Sequence, residues 1–159
     1  MLDKKQIREL IKGTIYDIGL WSEEAEQLVY ETGMVESRYT YLRQLGGGVA
    51  RSFFQVEPFT ARDNIQNFCR YRNTLMEKLS NVCHIDTNHL LSLIELDYFG
   101  LLEGNIKFAI CMARIKYRRV PKKLPSLNDK EARAKYWLKY YNAGGKGSVE
   151  HYLKSIEKL

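Results

Sequence analysis

The chain has 159 residues, 45% of them hydrophobic and 28% charged. That suits one soluble globular domain over residues 1–159 with a buried core, and excludes a disordered or fibrous polypeptide. The net charge of +6 and pI of about 9.2 favour polyanions without choosing among nucleic acid, an anionic cell wall and a membrane surface. No segment approaches the ~20 apolar residues of a membrane span.

The pattern is mainly α-helical, with about seven helices. Asp3 caps a first helix reaching about Leu20, with Ile7, Leu10, Ile11, Ile15 and Ile18 at helical spacing. Ser22 caps a second, with Glu23 and Glu24 in its first turn and a stripe of Ala25, Leu28, Val29, Thr32 and Val35. Gly46-Gly47-Gly48 then forces a turn or extended excursion, a candidate short β-hairpin within 40–56. Pro58 opens a third helix that the stripe Ala61, Ile65, Phe68, Cys69, Met76 and Leu79 carries to Ser80. Thr87 opens a fourth, and Gly100 and Gly104 bracket a loop. Asn105 caps a fifth, Asp129 starts a sixth through Tyr140, and Ser148 caps the last. Residues 38–57 and 117–128 are the longest loops, and loops of such length are often functional.

Several features point away from chemistry. Cys69, Cys83 and Cys111 are odd in number with no repeated spacing, so the expectation is free, buried thiols. His84 and His89 are five apart and do not share a helix face, and no paired cysteines complete a zinc site. The expectation is therefore no metal and no cofactor. Arg114, Lys116, Arg118, Arg119, Lys122 and Lys123 read as a solvated helix end and loop, so no nucleic-acid partner is expected. The 11 tyrosines suit a sugar cleft, although most of them pack in the core with the hydroxyl outward.

One carboxylate stands out. Glu36 lies at the end of the second helix, in phase with residues 25, 29 and 32. Desolvation and the negative helix end both disfavour its ionised form. A carboxyl kept protonated near neutral pH can donate to a glycosidic oxygen. The competing reading is a Glu that turns to solvent or pairs with Arg38 or Arg43.

Two further segments bear on this choice. Glu36-Ser37-Arg38-Tyr39 is followed by Ser52-Phe53-Phe54-Gln55-Val56-Glu57-Pro58 and, near the C-terminus, by Tyr141-Asn142-Ala143-Gly144. In order and spacing, over roughly residues 20–155, this set resembles the soluble-type lytic transglycosylases, which share the lysozyme-like fold with goose-type lysozymes. Asn105-Ile106 with Ala109, Ala113 and Arg114 resembles that family's helix between the last two motifs. The resemblance implies that Glu36 is the catalytic acid and later base. It implies that Ser37 supports it, and that Gln55 and the backbone around it, with Ser52, Phe54 and Val56, line the sugar cleft. Tyr141 would hydrogen-bond Glu36, and Asn142 would position the motif or the substrate. The plain alternatives are a turn-satisfying amide for Gln55, core packing for Tyr141 and a helix C-cap for Asn142.

Three departures from the pattern carry expectations. Ser52 stands where the family has Gly, so the backbone there is expected to avoid the left-handed conformation. Phe53 and Phe54 would make the cleft floor more aromatic. Glu57 is a candidate second carboxylate, or a helix-start residue favoured by the dipole, and Asp63 is ambiguous in the same way.

Glycosidases with two carboxylates hold them about 5–5.5 Å or about 6.5–9.5 Å apart. One well-placed acid suits a substrate-assisted route instead. The expected activity is that of a lytic transglycosylase cutting the MurNAc–GlcNAc bond of peptidoglycan to a 1,6-anhydro product. The alternatives are a muramidase of the same fold and a non-catalytic murein-binding module. The partner would be peptidoglycan glycan strands. The N-terminus Met1-Leu2-Asp3-Lys4-Lys5 lacks the apolar stretch of a signal peptide. Action on the cell wall or periplasm would then rest on delivery by a phage virion, release at lysis, or a secretion apparatus whose proteins are further candidate partners.

Overall fold

The Asp3 carboxylate accepts the Gln6 N–H at 2.9 Å and starts α1 (Lys4–Asp17), whose Ile7, Ile11, Thr14 and Ile15 face the core. The structure is a computed structural model and describes residues 2–159. Ser22 Oγ accepts the Ala25 N–H at 3.0 Å and starts α2 (Glu23–Ser37). Next come α3 (Pro58–Asn67), a 3-10 turn (Cys69–Tyr71), α4 (Asn73–Cys83), α5 (Thr87–Ser92), α6 (Glu95–Gly104), α7 (Ile106–Arg118), α8 (Lys130–Tyr140) and α9 (Val149–Ile156). The described residues therefore form nine α-helices, two more than the sequence pattern predicts. The caps Asn105, Asp129 and Ser148 all accept the expected backbone N–H groups.

Both extra helices come from breaks the pattern misplaced. The stripe of the predicted 58–80 helix runs 65, 69, 72, 76, 79, which puts Arg72 among the core positions. An unpaired guanidinium is too costly to bury there. The chain breaks at Phe68 instead, and the exposed Arg72 donates to the Phe68 carbonyl at 2.9 Å with its guanidinium 3.6 Å above the Phe68 ring. Further on, the expected loop between Gly100 and Gly104 is helix. Asp97 accepts the Ile94 N–H at 3.0 Å, and Tyr98 and Leu102, one turn apart, are both buried. That packing overrides a glycine cost of about 1 kcal/mol.

The core is organised by α7, which packs against α1, α2, α3, α4 and α6 and is buried continuously from Phe108 to Ile115. The other central helix is α2. Every residue from Ala25 to Ser37 is buried except Gln27 and Glu36. Its charged centre, Glu31, is clamped by Arg133 of α8 through Nε at 2.7 Å and Nη2 at 2.9 Å. Tyr152 of α9 also donates to Glu31, as does Gln27 at 2.9 Å. Arg133 Nη1 reaches the carbonyls of Ser126 and Leu127 as well, so one buried network ties α2, α8, α9 and the 117–128 loop together.

At the end of α2, Arg38 adopts a left-handed φ of 54°, and Tyr39 follows at 54°. The Tyr39 ring folds back flat onto the helix at Gly33, where an added Cβ would lie 2.3 Å from it, and its hydroxyl donates to the Tyr30 carbonyl at 2.7 Å. The excursion that follows is a hairpin of isolated bridges rather than full strands. Gln44 N–H donates to Ala50 O at 3.0 Å, Ser52 N–H to Leu42 O at 2.8 Å, and Arg51 and Val56 exchange two bonds of 2.9 Å. Gly46 and Gly47 turn its tip with φ of 82° and 83°. Ser52 corrects an expectation. It takes φ 72°, the conformation its side chain was expected to avoid, and its Oγ accepts the Phe54 N–H at 3.2 Å. This local bond offsets part of a left-handed penalty of about 1–2 kcal/mol. No helix among the described residues is long and apolar enough to cross a membrane.

Candidate active site

Glu36 is where a buried helix meets solvent. Since nearly all of α2 around it is buried, helical phase does not single it out; its partial exposure at the last turn does. Oε1 accepts the Trp137 Nε1–H at 2.8 Å, which fixes the carboxyl from α8. Neither expected alternative is realised: Arg43 pairs with Glu103 at 2.9 Å, and the exposed Arg38 caps the helix. Burial pushes the Glu36 carboxyl up to about 7, against the lowering effects of the Trp137 bond and the Lys116 charge.

Two arms of one groove meet at this carboxyl. One, of about 600 Å³, is lined by Ser37, Arg38, Thr40, Trp137, Gly147 and His151 among others. The second, of about 700 Å³, is lined by Gln55, Glu57, Thr60, Lys116, Tyr140 and Tyr141 among others. Glu36, Tyr41, Leu45, Asn142 and Lys146 border both. The hairpin supplies one wall, through Leu45 at its tip, and the α8–α9 connection supplies the other.

Tyr141 does not bond Glu36. It is buried, and its hydroxyl donates to the Phe54 carbonyl at 2.7 Å, joining the end of α8 to the base of the hairpin. The donor to Glu36 is Trp137, one helical turn earlier on the same face of α8. Phe54, Val56 and Ser52 are 0%, 1% and 2% exposed and border neither arm. They form the hairpin's packed base instead of a cleft floor: residues 52–55 make a tight turn between the bridged Arg51 and Val56, with Ser52 and Gln55 both left-handed, and that turn sets Phe54 into the core. Gln55 points the other way and borders the groove, while its Nε2 donates to the Ser52 carbonyl at 2.8 Å and satisfies its own turn. Ser37 is buried at the groove edge, its Oγ donating to Gly33 O at 3.2 Å and accepting from Tyr39 N–H at 3.1 Å; it supports the turn that presents Glu36. Asn142 borders both arms, and its backbone N–H closes α8 onto the Trp137 carbonyl at 2.9 Å.

The two other acids separate. Glu57 is the N-cap of α3 but makes no side-chain cap bond, and it borders the groove. Asp63 is held by Asn67 at 2.6 Å and Arg119 at 2.7 Å, and the Asn67 bond, then Arg119, keep its carboxyl below the usual range against its partial burial. It borders neither arm.

The residues read as a solvated basic run divide as well. Arg114 is 6% exposed and donates to Leu20 O at 2.9 Å, Arg119 is paired with Asp63, and Lys116 enters the groove. Lys116 donates to Tyr141 O at 2.6 Å, and its ammonium lies 4.2 Å from the Tyr141 ring centroid. Burial lowers its proton affinity, and the Glu36 and Glu57 charges partly restore it. Trp137, Tyr41, Lys116, Lys146 and His151 are among the groove residues that sequence reasoning missed. For Trp137 a signal existed, its spacing of four from Tyr141. For Lys116 none did, since a lysine between Ile115 and Tyr117 reads as a solvent-facing helix position.

Lys116→Met is expected to raise the pKa of the Glu36 carboxyl further above its ordinary value, because a stabilising cation is lost. Lys116→Arg should keep it close to 7. Carbon-13 NMR titration of the Glu36 carboxyl checks this, and an unchanged midpoint in Lys116→Met would remove Lys116 from the electrostatics of the site.

Among the described residues, no group of three or more His, Cys, Asp and Glu is arranged to hold a metal ion. No protein-family model matches the chain, and no curated protein or solved structure matches it either.

Proposed function

We propose that this chain cleaves peptidoglycan as a lytic transglycosylase with a lysozyme-like fold, using Glu36 as its single catalytic acid and base. The observation that carries the reading is a carboxyl raised to about 7, fixed by Trp137 at the junction of two groove arms. A polymer lying along both arms would present an internal bond to the acid. The helical body with one small hairpin forming a groove wall is compatible with the fold named here.

In the proposed reaction the Glu36 carboxyl gives its proton to the glycosidic oxygen, and the bond from that oxygen to the muramoyl C1 breaks. The N-acetyl oxygen of the same sugar stabilises the cationic C1. Glu36, now a carboxylate, takes the proton of the C6 hydroxyl as O6 bonds to C1, which closes the 1,6-anhydro ring without water. The proton that Glu36 lost is restored, so the site is ready for another turnover. A pKa near 7 suits a group that must first donate and then accept.

One observation favours a second reading. Glu57 borders the same arm as Lys116 and is not used in capping, so it is free to direct a water as in a muramidase. Mass spectrometry of products from purified murein separates the two: anhydro-muramic ends are expected, and reducing ends would establish hydrolysis. Release of no fragments by the unmodified protein would leave only glycan binding.

A further inference from the structure

The two arms differ in charge. Beyond Glu36, the arm that runs past Trp137 is bordered by Arg38, Lys146 and His151 and by no other acid. The second arm shares Lys146 but sets Glu57 against Lys116 and lacks Arg38 and His151. Arg38 and Lys146 are exposed, and neither takes part in an ion pair among the described residues. Arg38 is also held in place: its left-handed backbone ends α2, with its N–H bonded to Met34 O at 3.0 Å. A helix C-terminus attracts a cation, which explains one of these charges but not Lys146 or His151, which come from the α8–α9 connection and α9. His151 is positioned by packing, its ring centroid 6.5 Å from that of Trp137 and Nε2 3.4 Å from Val35 O. Three basic side chains from separate segments thus face one groove arm next to the acid.

A bare chain of N-acetyl sugars is neutral and offers such an arm hydrogen bonds but no opposite charge. We propose that the Arg38–Lys146–His151 arm recognises a carboxylate carried by the substrate, on the acidic peptide stem of the muramoyl residue beside the bond that Glu36 attacks. This rests on the murein reading above. It assigns the stem-bearing side of the substrate to one arm and predicts selection of substituted over bare glycan.

The test is calorimetric binding in the Glu36→Gln background, so that ligands stay intact. The probes are a muramoyl-containing tetrasaccharide with acidic stems, the same ligand with its stem carboxylates amidated, and a tetramer of N-acetylglucosamine. The variants are Arg38→Asn, which tolerates the left-handed backbone, and Lys146→Gln, combined. Partly exposed ion pairs contribute modestly each, so a loss of about tenfold is expected for the acidic ligand. Its binding should also weaken with added salt. Amidation should cost the parent protein the same factor, and the neutral tetramer should change less than about twofold, having no charge to lose. Equal losses for acidic and neutral ligands, or no effect of amidation, overturn the assignment while leaving the murein reading in place. Binding of none of the three overturns both.

Discussion

Glu36→Gln is expected to reduce release of murein fragments by about 10³-fold, the scale of a general acid's contribution, while the circular dichroism spectrum stays that of the folded protein. Gln keeps the size and can still accept the Trp137 N–H, so only proton transfer is lost. Retention of full activity would remove Glu36 from the acid role. The same variant has a stability signature with a definite sign. The folded carboxyl holds its proton up to about 7, against an ordinary value of 4.5. Below pH 4.5 both folded and unfolded chains are protonated, and Glu36 contributes nothing to pH dependence. As pH rises towards 7 the unfolded chain ionises first, so folding loses stability, by up to about 3 kcal/mol when complete. Glu36→Gln should therefore be more resistant to urea than the parent at pH 8 and equally resistant at pH 4. For activity, the donor form disappears as pH passes about 7, which sets the alkaline limb of kcat/KM.

Arg133→Met is expected to cost about 3–5 kcal/mol, because it strands the buried Glu31 carboxylate. The two side chains are 6% and 3% exposed, and the arginine also serves the Ser126 and Leu127 carbonyls. The consequence reaches the groove, since Trp137 and His151 stand on the helices that this network holds against α2. Combining Arg133→Met with Glu31→Gln should recover part of the loss, because no unpaired charge then remains. Urea unfolding of the two single variants and the double variant measures this; additive losses would mean the ion pair is not the coupling element.

Legibility in the sequence followed locality. Asp3, Ser22, Asn105, Asp129 and Ser148 were readable as caps because each acts within three or four residues of itself. The turn at Gly46-Gly47 was readable because only glycine takes that conformation at no cost. The break at Phe68 and the helix running through Gly100 were not, since Arg72 and the Tyr98–Leu102 pair decide them through packing. The same division runs through the site. Glu36 and its segment could be picked out, but the phase argument used for it does not hold in a helix buried on nearly all sides. Ser52, Phe54 and Val56 fall to the cleft by their motif, and the tight turn between Arg51 and Val56 takes them into the hairpin's packed base. Tyr141 was paired with Glu36, whereas burial turns its hydroxyl to the Phe54 carbonyl.

By itself, the sequence determined a mainly helical chain, its capped helix starts, the glycine turn and one acid worth testing, all properties carried by neighbours along the chain. Only the tertiary structure decided that Trp137 fixes that acid, that Lys116 faces it, that Glu57 stays near it while Asp63 does not, and that one arm of the groove is cationic. Those outcomes depend on which side chains meet across helices far apart in the chain, and on how much water each retains. Burial raises the Glu36 carboxyl to about 7 against the Trp137 bond and the Lys116 charge, and burial is a property of the assembled fold.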